Sequence, residues 1–150
     1  MNDLIRPAET ADIPRLTSLA EQAYAKYVER IGRRPAPMDP EFAMHIAAGE
    51  VDVLARDGAI LGFVIWRLEA DHGFVDNVAV DPAQIGRGVG KALLAWVETR
   101  VRAHGLREMR LYTNAKMTEN LTLYPRWGWE ATDRRMQDGF DRVFFRKRLT

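Results

Sequence analysis

The residues with the clearest chemical potential form a glycine-rich loop that follows an apolar run. The loop holds Gly86, Gly88 and Gly90, three glycines within five residues, together with the cations Arg87 and Lys91. Glycine lets a backbone approach a ligand closely and adopt conformations that other residues avoid. An amphipathic segment begins directly after the loop, and the free amides and positive dipole end of a helix attract phosphate. The pattern therefore predicts a cradle for a pyrophosphate group.

Two common phosphate-binding motifs do not fit this loop. A Walker loop that ends at Gly90-Lys91 needs glycine at position 85 and serine or threonine at position 92, where the chain has Ile85 and Ala92. The dinucleotide fingerprint that starts at Gly86 needs glycine at position 91, where the chain has lysine. Loops of the ATP and NAD types are therefore disfavoured. A plain glycine-rich turn into a helix remains the structural alternative.

Two further residues, Tyr124 and Asp76, lie in elements that the sequence predicts around this loop. Tyr124 lies near the end of a short predicted helix, and Asp76 lies in the apolar run before the loop. Each residue has a structural interpretation, Tyr124 as a core residue and Asp76 as a strand-end or substrate-positioning carboxylate.

The loop resembles the core motif of the GCN5-related N-acetyltransferase superfamily, which reads Gln/Arg-x-x-Gly-x-Gly/Ala. Gly88 and Gly90 match the glycines of the motif, and Gly86 matches an additional glycine that is common there. Ile85 stands where the motif has glutamine or arginine. The resemblance covers nearly the whole chain and is weakest from Ala25 to Glu50.

A second element of that superfamily is a short helix that ends in Leu-Tyr and precedes a glycine and an aromatic residue. The chain has Leu123-Tyr124 and then Gly128-Trp129, so Tyr124 matches the superfamily tyrosine. The usual upstream asparagine is replaced by Met117. Asn120 is the candidate substitute, either as a contact to pantetheine or as a local cap.

The resemblance implies an acetyl-CoA-dependent N-acetyltransferase. Its acceptor would be a primary amine of a small molecule or an exposed amino group, which attacks directly in a ternary complex. In the superfamily, the strand before the loop diverges from its neighbour, and the backbone amide that matches Val78 faces the thioester carbonyl. Tyr124 would protonate the leaving thiolate, and Asp76 would act as general base, usually through water. The residues implied to bind acetyl-CoA are Val78, Ala79, Val80, Ile85, Gly86, Arg87, Gly88, Val89, Gly90, Lys91, Asn120 and Tyr124.

Two other functions remain open from the sequence. The departures at Ile85 and Met117 favour a non-catalytic coenzyme A-binding regulatory module, whereas the retained Tyr124 argues against it. A basic C-terminal stretch suggests nucleic-acid binding, but its charges alternate with apolar residues, which is typical of a half-solvated hairpin. That stretch contains Arg142, Arg146, Lys147 and Arg148, with Arg134 and Arg135 nearby.

The segment Tyr24–Met38 corresponds to the wall where the superfamily binds its acceptor. Glycine and proline punctuate it, which is typical of a surface loop, and such loops often carry function. It contains Arg30, Arg33 and Arg34. These arginines suggest an acceptor with a carboxylate, although solvation explains them equally well.

Composition narrows the choice of function. The 150 residues contain no cysteine, which excludes disulfides, thiolate metal sites and a cysteine nucleophile. The single serine, Ser18, lacks the Gly-x-Ser-x-Gly context of a serine hydrolase. His45, His72 and His104 are widely separated without a metal-binding spacing, so we expect no metal.

The net charge does not discriminate between partners, and a cytoplasmic protein without nucleic-acid or membrane partners is the default expectation. The formal net charge is +1, and the longest apolar run, Ala59–Trp66, is too short to span a bilayer. The charged N-terminus with Pro7 lacks the apolar stretch of a signal peptide. The expected partner is the small-molecule amine or amino-group acceptor, and a homodimer is left open.

The elements that must position these residues follow the order βααβββαβαββ. We expect one domain over residues 1–150 with an α/β (α+β) fold, in which a mixed central sheet has helices on both faces. Asp-Gly pairs at 57–58 and 138–139 predict tight hairpin turns. Asp12 is expected to cap the first helix, which Gly32 stops. The other predicted elements are strands Leu4–Arg6, Val51–Arg56, Ala59–Glu69, Gly73–Val80, Glu108–Thr113, Glu130–Arg135 and Phe140–Leu149, and helices Asp39–Ala48, Val89–Val101 and Thr118–Trp127.

Overall fold

The computed structural model describes residues 3–150, and its core is one seven-stranded sheet. Met1 and Asn2 of the expected domain lie outside the described residues. The predicted element order is confirmed. The strands are β1 (Asp3–Pro7), β2 (Val51–Arg56), β3 (Ala59–Leu68), β4 (Gly73–Val80), β5 (Glu108–Asn114), β6 (Glu130–Gln137) and β7 (Phe140–Arg148). The helices are α1 (Ile13–Ile31), α2 (Phe42–Ala47), α3 (Val89–Ala103) and α4 (Thr118–Arg126).

The sheet is mixed, as expected, with the strand order β1-β2-β3-β4-β5-β7-β6. Every neighbouring pair is antiparallel except β4 and β5, which are parallel. The turns at Asp57-Gly58 and Asp138-Gly139 have positive φ at both central residues. This is the type I′ geometry that suits the twist of a two-residue hairpin.

The two faces of the sheet carry two separate apolar clusters. Helices α1 and α2 cover one face, where Leu16, Leu19 and Phe63 are fully buried. Helices α3 and α4 cover the other face, where Leu93 and Val97 are fully buried. We call these the α1 face and the α3 face. None of the helices between residues 3 and 150 is long and apolar enough to span a membrane.

Two local predictions are wrong. Asp12 does not cap α1 with its side chain, because its carboxylate accepts hydrogen bonds from the guanidinium of Arg6 at 2.8 Å and from the amide of Glu9 at 2.8 Å. Helix α2 begins at Phe42 rather than Asp39. Pro40 disfavours helical geometry at the residue before it, so the helix starts after the proline.

Close packing of α3 on β4 depends on glycine at the point where β4 meets β5. A Cβ added to Gly73 would lie 2.4 Å from Cγ2 of Val101, far inside van der Waals contact. Gly73 is also one of the two β4 residues that pair with β5. The base of β4 is therefore held tightly against α3.

We expect Gly73→Ala to lower the free energy of unfolding by roughly 1–3 kcal/mol, because the added methyl overpacks the contact with Val101. Removing the opposing methyl groups with Val101→Ala should recover part of the loss, so that the double variant is more stable than the sum of the single losses predicts. Urea denaturation of the four proteins measures this coupling.

Val97→Ala is the matched control. Val97 is as deeply buried on α3 as Val101, but it is not among the nearest contacts of a Cβ on Gly73. Its loss should simply add to that of Gly73→Ala. Additive behaviour of the Val101 pair would contradict the proposed clash.

Candidate active site

Strands β4 and β5 separate almost as soon as they meet. They pair only at Gly73 with Met109 and at Phe74 with Arg110. From Val75 to Val80, the edge of β4 that faces β5 has no strand partner among the described residues. Backbone groups normally find partners along a whole ladder, so an unpaired stretch inside a sheet offers binding positions to a ligand. This is the divergence that the family resemblance implies.

A β-bulge at Asp76 changes which face the side chains of β4 point to. Ile65 pairs with Asn77 and Trp66 pairs with Val75, so Asp76 is the extra residue. Before the bulge, Val75 packs into the cluster on the α3 face, whereas after it Ala79 packs into the cluster on the α1 face. A one-residue insertion has this effect because side chains alternate with a period of two.

The gap between β4 and β5 opens into a cleft of about 670 Å³. Its lining comes from α1, α2, β4, the glycine-rich loop, β5, α4 and β7, so it is bordered by residues of both faces of the sheet. A cleft of this size with a few convergent polar groups is a typical small-molecule site.

The glycine-rich loop ends at the N-terminus of α3 and leaves open space in front of it. Gly86 and Gly88 both have a φ of +82°, and no heavy atom lies within 4 Å of where a Cβ on either would stand. The first amides of a helix have no partner within the helix. Oε1 of Gln84, beside the loop, is buried and has no hydrogen-bond partner among residues 3–150. Donors, space and an unpaired acceptor therefore meet at this end of the cleft.

Nearly all of the predicted site residues line this cleft. Arg87 is the exception, because it is exposed on the loop and is not among the lining residues. Ile85 is 63% exposed but does border the cleft. The residues that line it are Asp76, Val78, Ala79, Val80, Ile85, Gly86, Gly88, Val89, Gly90, Lys91, Asn120 and Tyr124.

Tyr124 is packed in an aromatic group with its hydroxyl left free. Its ring centroid lies 5.5 Å from that of Phe145, 5.9 Å from Trp129 and 6.2 Å from Trp127. Burial raises the pKa of the Tyr124 hydroxyl well above its ordinary value. The Tyr124 hydroxyl makes no hydrogen bond with any residue from 3 to 150, and the residue lines the cleft. The hydroxyl is therefore protonated at neutral pH and available as a donor in the cleft.

Asn120 has both a local contact and a place in the cleft wall. Its Nδ2 donates to Oγ1 of Thr113 at 3.0 Å, which ties α4 to the end of β5. Met117, which replaces the asparagine of the superfamily, is 2% exposed and also borders the cleft. Whether Asn120 contacts pantetheine stays a prediction.

The structure places a histidine, His45, close to Asp76. Nε2 of His45 lies 3.8 Å from Oδ2 of Asp76, and its Nδ1 lies 2.8 Å from Oε1 of Glu50. Both His45 and Asp76 line the cleft. Sequence reasoning missed His45, because the spacing to Asp76 matches no motif and only the fold brings α2 against β4. Across residues 3–150, no three His, Cys, Asp or Glu side chains form a group that could hold a metal ion.

Asn77 fastens the wall of the cleft on the α1 face. Its Oδ1 lies 2.7 Å from the hydroxyl of Tyr24, and its Nδ2 donates to the carbonyl of Pro37 at 2.8 Å. The same hydroxyl lies 2.9 Å from the carbonyl oxygen of Val78. These contacts fix α1 and the segment after it against β4.

The three arginines of that wall already have partners. Arg30 bonds Glu119 at 2.6 Å, and Arg34 bonds both Glu21 and Asp39. Arg33 donates to the carbonyl oxygens of Asp138 and Gly139. The suggestion that these arginines meet an acceptor carboxylate is therefore not supported by their contacts.

Arg142 differs from its expected place on a half-solvated hairpin. It is 5% exposed and lines the cleft, with its Cζ 4.3 Å from the ring centroid of Tyr112. Its Nη1 donates to Oε1 of Gln137 at 2.8 Å and to Oδ2 of Asp138 at 3.1 Å. The alternation along β7 correctly predicted that successive side chains point to opposite faces of the sheet. On the face that was expected to be solvated, however, Arg142 packs on Tyr112.

Comparison with known proteins identifies a family whose model matches this chain. Residues 15–129 match the model of the Acetyltransferase (GNAT) family. A mycothiol acetyltransferase from Brachybacterium faecium is 29% identical over 86% of this chain, and an aminoglycoside N(6')-acetyltransferase type 1 from Stenotrophomonas maltophilia is 32% identical over 70% of this chain and 78% of its own length. This chain spans 41% of the length of the mycothiol acetyltransferase.

Solved structures agree on the fold. The PaiA N-acetyltransferase of Thermoplasma acidophilum in complex with coenzyme A matches with a TM-score of 0.84 at 18% identity, over 99% of this chain and 100% of that one. The ribosomal-protein-S18-alanine N-acetyltransferase of Escherichia coli matches with a TM-score of 0.78 at 23% identity, over 99% of this chain and 95% of that one.

We expect Gly88→Val to remove coenzyme A binding far more thoroughly than Arg87→Ala. A β-branched residue is strained at a φ of +82° and fills the space in front of α3, whereas Arg87 contributes only an exposed, screened charge. Titration calorimetry with coenzyme A measures both variants.

Gly105→Val is the matched control, because Gly105 has a φ of +77° and open space around it at the far end of α3. It should share the strain and leave coenzyme A affinity unchanged. A greater loss from Arg87→Ala than from Gly88→Val would refute a cradle made of backbone.

Proposed function

The chain belongs to the acetyltransferase (GNAT) family, and we propose that it transfers the acetyl group of acetyl-CoA to a primary amine. The amine belongs to a small molecule or is an exposed amino group, and it attacks in a ternary complex. We further propose that residues 1–150 form one acetyltransferase domain. The observation that carries the proposal is the cleft between β4 and β5, which joins the glycine-rich loop and Tyr124 to Asp76.

The residues at the loop suit coenzyme A. The open space at Gly86 and Gly88 provides room for a pyrophosphate beside the free amides of α3, and Lys91 adds a positive charge at the same place. The unpaired edge of β4 from Val75 to Val80 offers backbone groups to an extended, amide-containing arm. When bound, acetyl-CoA supplies an activated acetyl thioester.

Tyr124 and Asp76 are proposed to handle the two protons that acetyl transfer moves. The buried Tyr124 hydroxyl is protonated and unpaired, so it can donate to a leaving sulfur. The carboxylate of Asp76 can take the proton that the amine loses. Glu50 contacts Nδ1 of His45 at 2.8 Å, and Nε2 of His45 lies 3.8 Å from Oδ2 of Asp76, so the imidazole is the nearest basic side chain to that carboxylate among the described residues.

The relatives support an amine acceptor without selecting one. Their names specify mycothiol, an aminoglycoside and an alanine of a ribosomal protein. One fold thus serves acceptors of very different size, so membership of the family does not identify the acceptor of this chain.

Ligand-dependent stability and thiol release test the proposal. Acetyl-CoA should raise the melting temperature and NAD and ATP should not, since the loop fits neither of their motifs. At ligand about 100 times the dissociation constant, the stabilisation should be ~2.7 kcal/mol. Thiol release from acetyl-CoA with a mixed panel of amines should accompany it.

Equal shifts from all three ligands would indicate a generic anion site. Stabilisation by acetyl-CoA without thiol release from any amine would instead favour a non-catalytic coenzyme A-binding module on the same fold.

We expect Tyr124→Phe to lower kcat while acetyl-CoA affinity stays within a few-fold of wild type. The hydroxyl proton is needed only when the carbon–sulfur bond breaks, and the phenyl ring preserves the packing against Trp127, Trp129 and Phe145. General acid catalysis contributes ~100- to 10,000-fold, and a thiolate is a fair leaving group, so the loss should be at the low end or below. Steady-state kinetics with an identified acceptor, alongside coenzyme A calorimetry, measures it.

An unchanged kcat, in conditions where chemistry is shown to limit the rate, would assign Tyr124 to packing alone.

A further inference from the structure

Arg142 is a nearly buried cation at the wall of the cleft on the α1 face. It lies on β7 beside Asn114 of β5, and its side chain is 6% exposed. The next residue, Val143, packs into the cluster on the α3 face, so Arg142 points to the opposite side, where Tyr112 lies. This is the same side of the sheet as His45 of α2.

Only part of the guanidinium of Arg142 has partners. Nη1 makes both hydrogen bonds, to Gln137 and to Asp138, whereas Nε and Nη2 make none with any residue from 3 to 150. Neither of those nitrogens is sealed from solvent, and the residue lines the cleft. Unmet donors on a nearly buried cation are costly unless a ligand or water accepts from them. Their position in the cleft therefore favours an anionic ligand.

The two free nitrogens suit a carboxylate. Nε–H and Nη2–H point in parallel from one edge of the planar guanidinium and match the two oxygens of a carboxylate. The group is also held in place, with Cζ 4.3 Å from the ring centroid of Tyr112 and 5.6 Å from that of Phe140. An arginine fixed in this way loses little freedom when a carboxylate binds.

The charged groups of the protein leave Arg142 able to bind an anionic ligand. Asp138, its acidic partner, is 78% exposed, so that ion pair is well screened. Lys26, another cation that lines the cleft, is paired with Glu119 at 3.0 Å. His45 bonds Glu50, and Asp76 is an anion with no arginine or lysine within ion-pair distance among the described residues.

Asp76, Tyr112 and Arg142 all line the cleft, and Arg142 lies over the ring of Tyr112. Burial raises the pKa of Tyr112, the charge of Arg142 opposes that rise, and the charge of Asp76 adds to it. The lining of the cleft thus contains both an anionic carboxylate and a cation with free donors. That arrangement is complementary to a molecule that has both an amine and a carboxylate.

We infer that Arg142 binds a carboxylate of the acceptor through Nε and Nη2 while the amine of the acceptor lies toward Asp76. The acceptor is then an amino carboxylate, such as an amino acid, rather than a polyamine or an aminoglycoside. This inference rests on the proposed acetyltransferase function and identifies the class of its acceptor.

Acetyl transfer to paired acceptors tests the inference. The panel holds the common α-amino acids, the amide of each, the amine that lacks the carboxyl group, a polyamine and an aminoglycoside. Wild type should prefer at least one amino acid over its own amide by roughly 10- to 100-fold in kcat/KM, the range expected for a charge-assisted pair. The corresponding acid without an amine should compete with that acceptor and not with acetyl-CoA.

Arg142→Lys keeps the charge and removes the fork. It should raise the KM of the preferred acceptor by about 10-fold or more, narrow the preference over the amide, and leave the KM of acetyl-CoA unchanged. Arg146→Lys is the matched control, because Arg146 lies on the same strand and face but pairs with Glu130 and does not line the cleft. It should change none of these values.

The outcomes separate this inference from the function on which it rests. Acetylation that is as fast on amides or on amines without a carboxylate overturns the inference and leaves the acetyltransferase proposal standing. Absence of thiol release with every amine overturns both. Because the preference of the wild-type protein and the competition by a simple acid need no variant, the inference remains falsifiable even if Arg142→Lys does not fold.

Discussion

The early separation of β4 from β5 is the feature on which the rest of the molecule depends. Parallel strands satisfy one another along an evenly spaced ladder, and here that ladder ends after two residue pairs. Unpaired backbone inside a sheet is costly, so the gap persists only because other contacts hold the strands apart. The hydroxyl of Tyr24 reaches the carbonyl of Val78 on β4, and Asn120 of α4 bonds Thr113 on β5. Each strand is thus held by a different helix, and the cleft lies between them.

The bulge at Asp76 changes the face of the sheet to which the following side chains of β4 point, next to this gap. If β4 ran through Asp76 as a regular strand without the bulge, alternation would turn Asn77 toward the α3 face, where its amide would be buried among apolar side chains. With it, Asn77 reaches Tyr24 and the carbonyl of Pro37. The bulge therefore lets Asn77 hold α1 against β4 while the carboxylate of Asp76 lines the cleft.

Much of this architecture could be predicted from sequence because its signals are local. Strands β2 and β4 have the predicted bounds. The two Asp-Gly turns and the glycine-rich loop also lie where the local sequence predicts them. The error at the start of α2 comes from Pro40, whereas the error at Asp12 arises because other groups compete for its side chain. Asp12 would cap α1 if Arg6 and the amide of Glu9 did not occupy its carboxylate.

His45 and Arg142 were beyond sequence reasoning for a related reason. A histidine on a short helix and an arginine in an alternating strand are ordinary features, and nothing near them in the chain suggests a site. Their positions follow from the packing of α2 on β4 and of β7 on β5, which joins segments far apart in the sequence.

The family match divides the cleft into two parts with different constraints. Residues 15–129 contain the loop and Tyr124, which are proposed to act on the acyl donor, whereas Arg142 lies beyond the matched segment on the last hairpin. Groups that bind a common acyl donor must keep one geometry, but groups that select an acceptor need only suit that acceptor. The two parts are nevertheless coupled through β5, because Tyr112 supports the guanidinium of Arg142 while its neighbour Thr113 is bonded to α4. Selection of the acceptor thus depends on the same strand whose divergence opens the cleft.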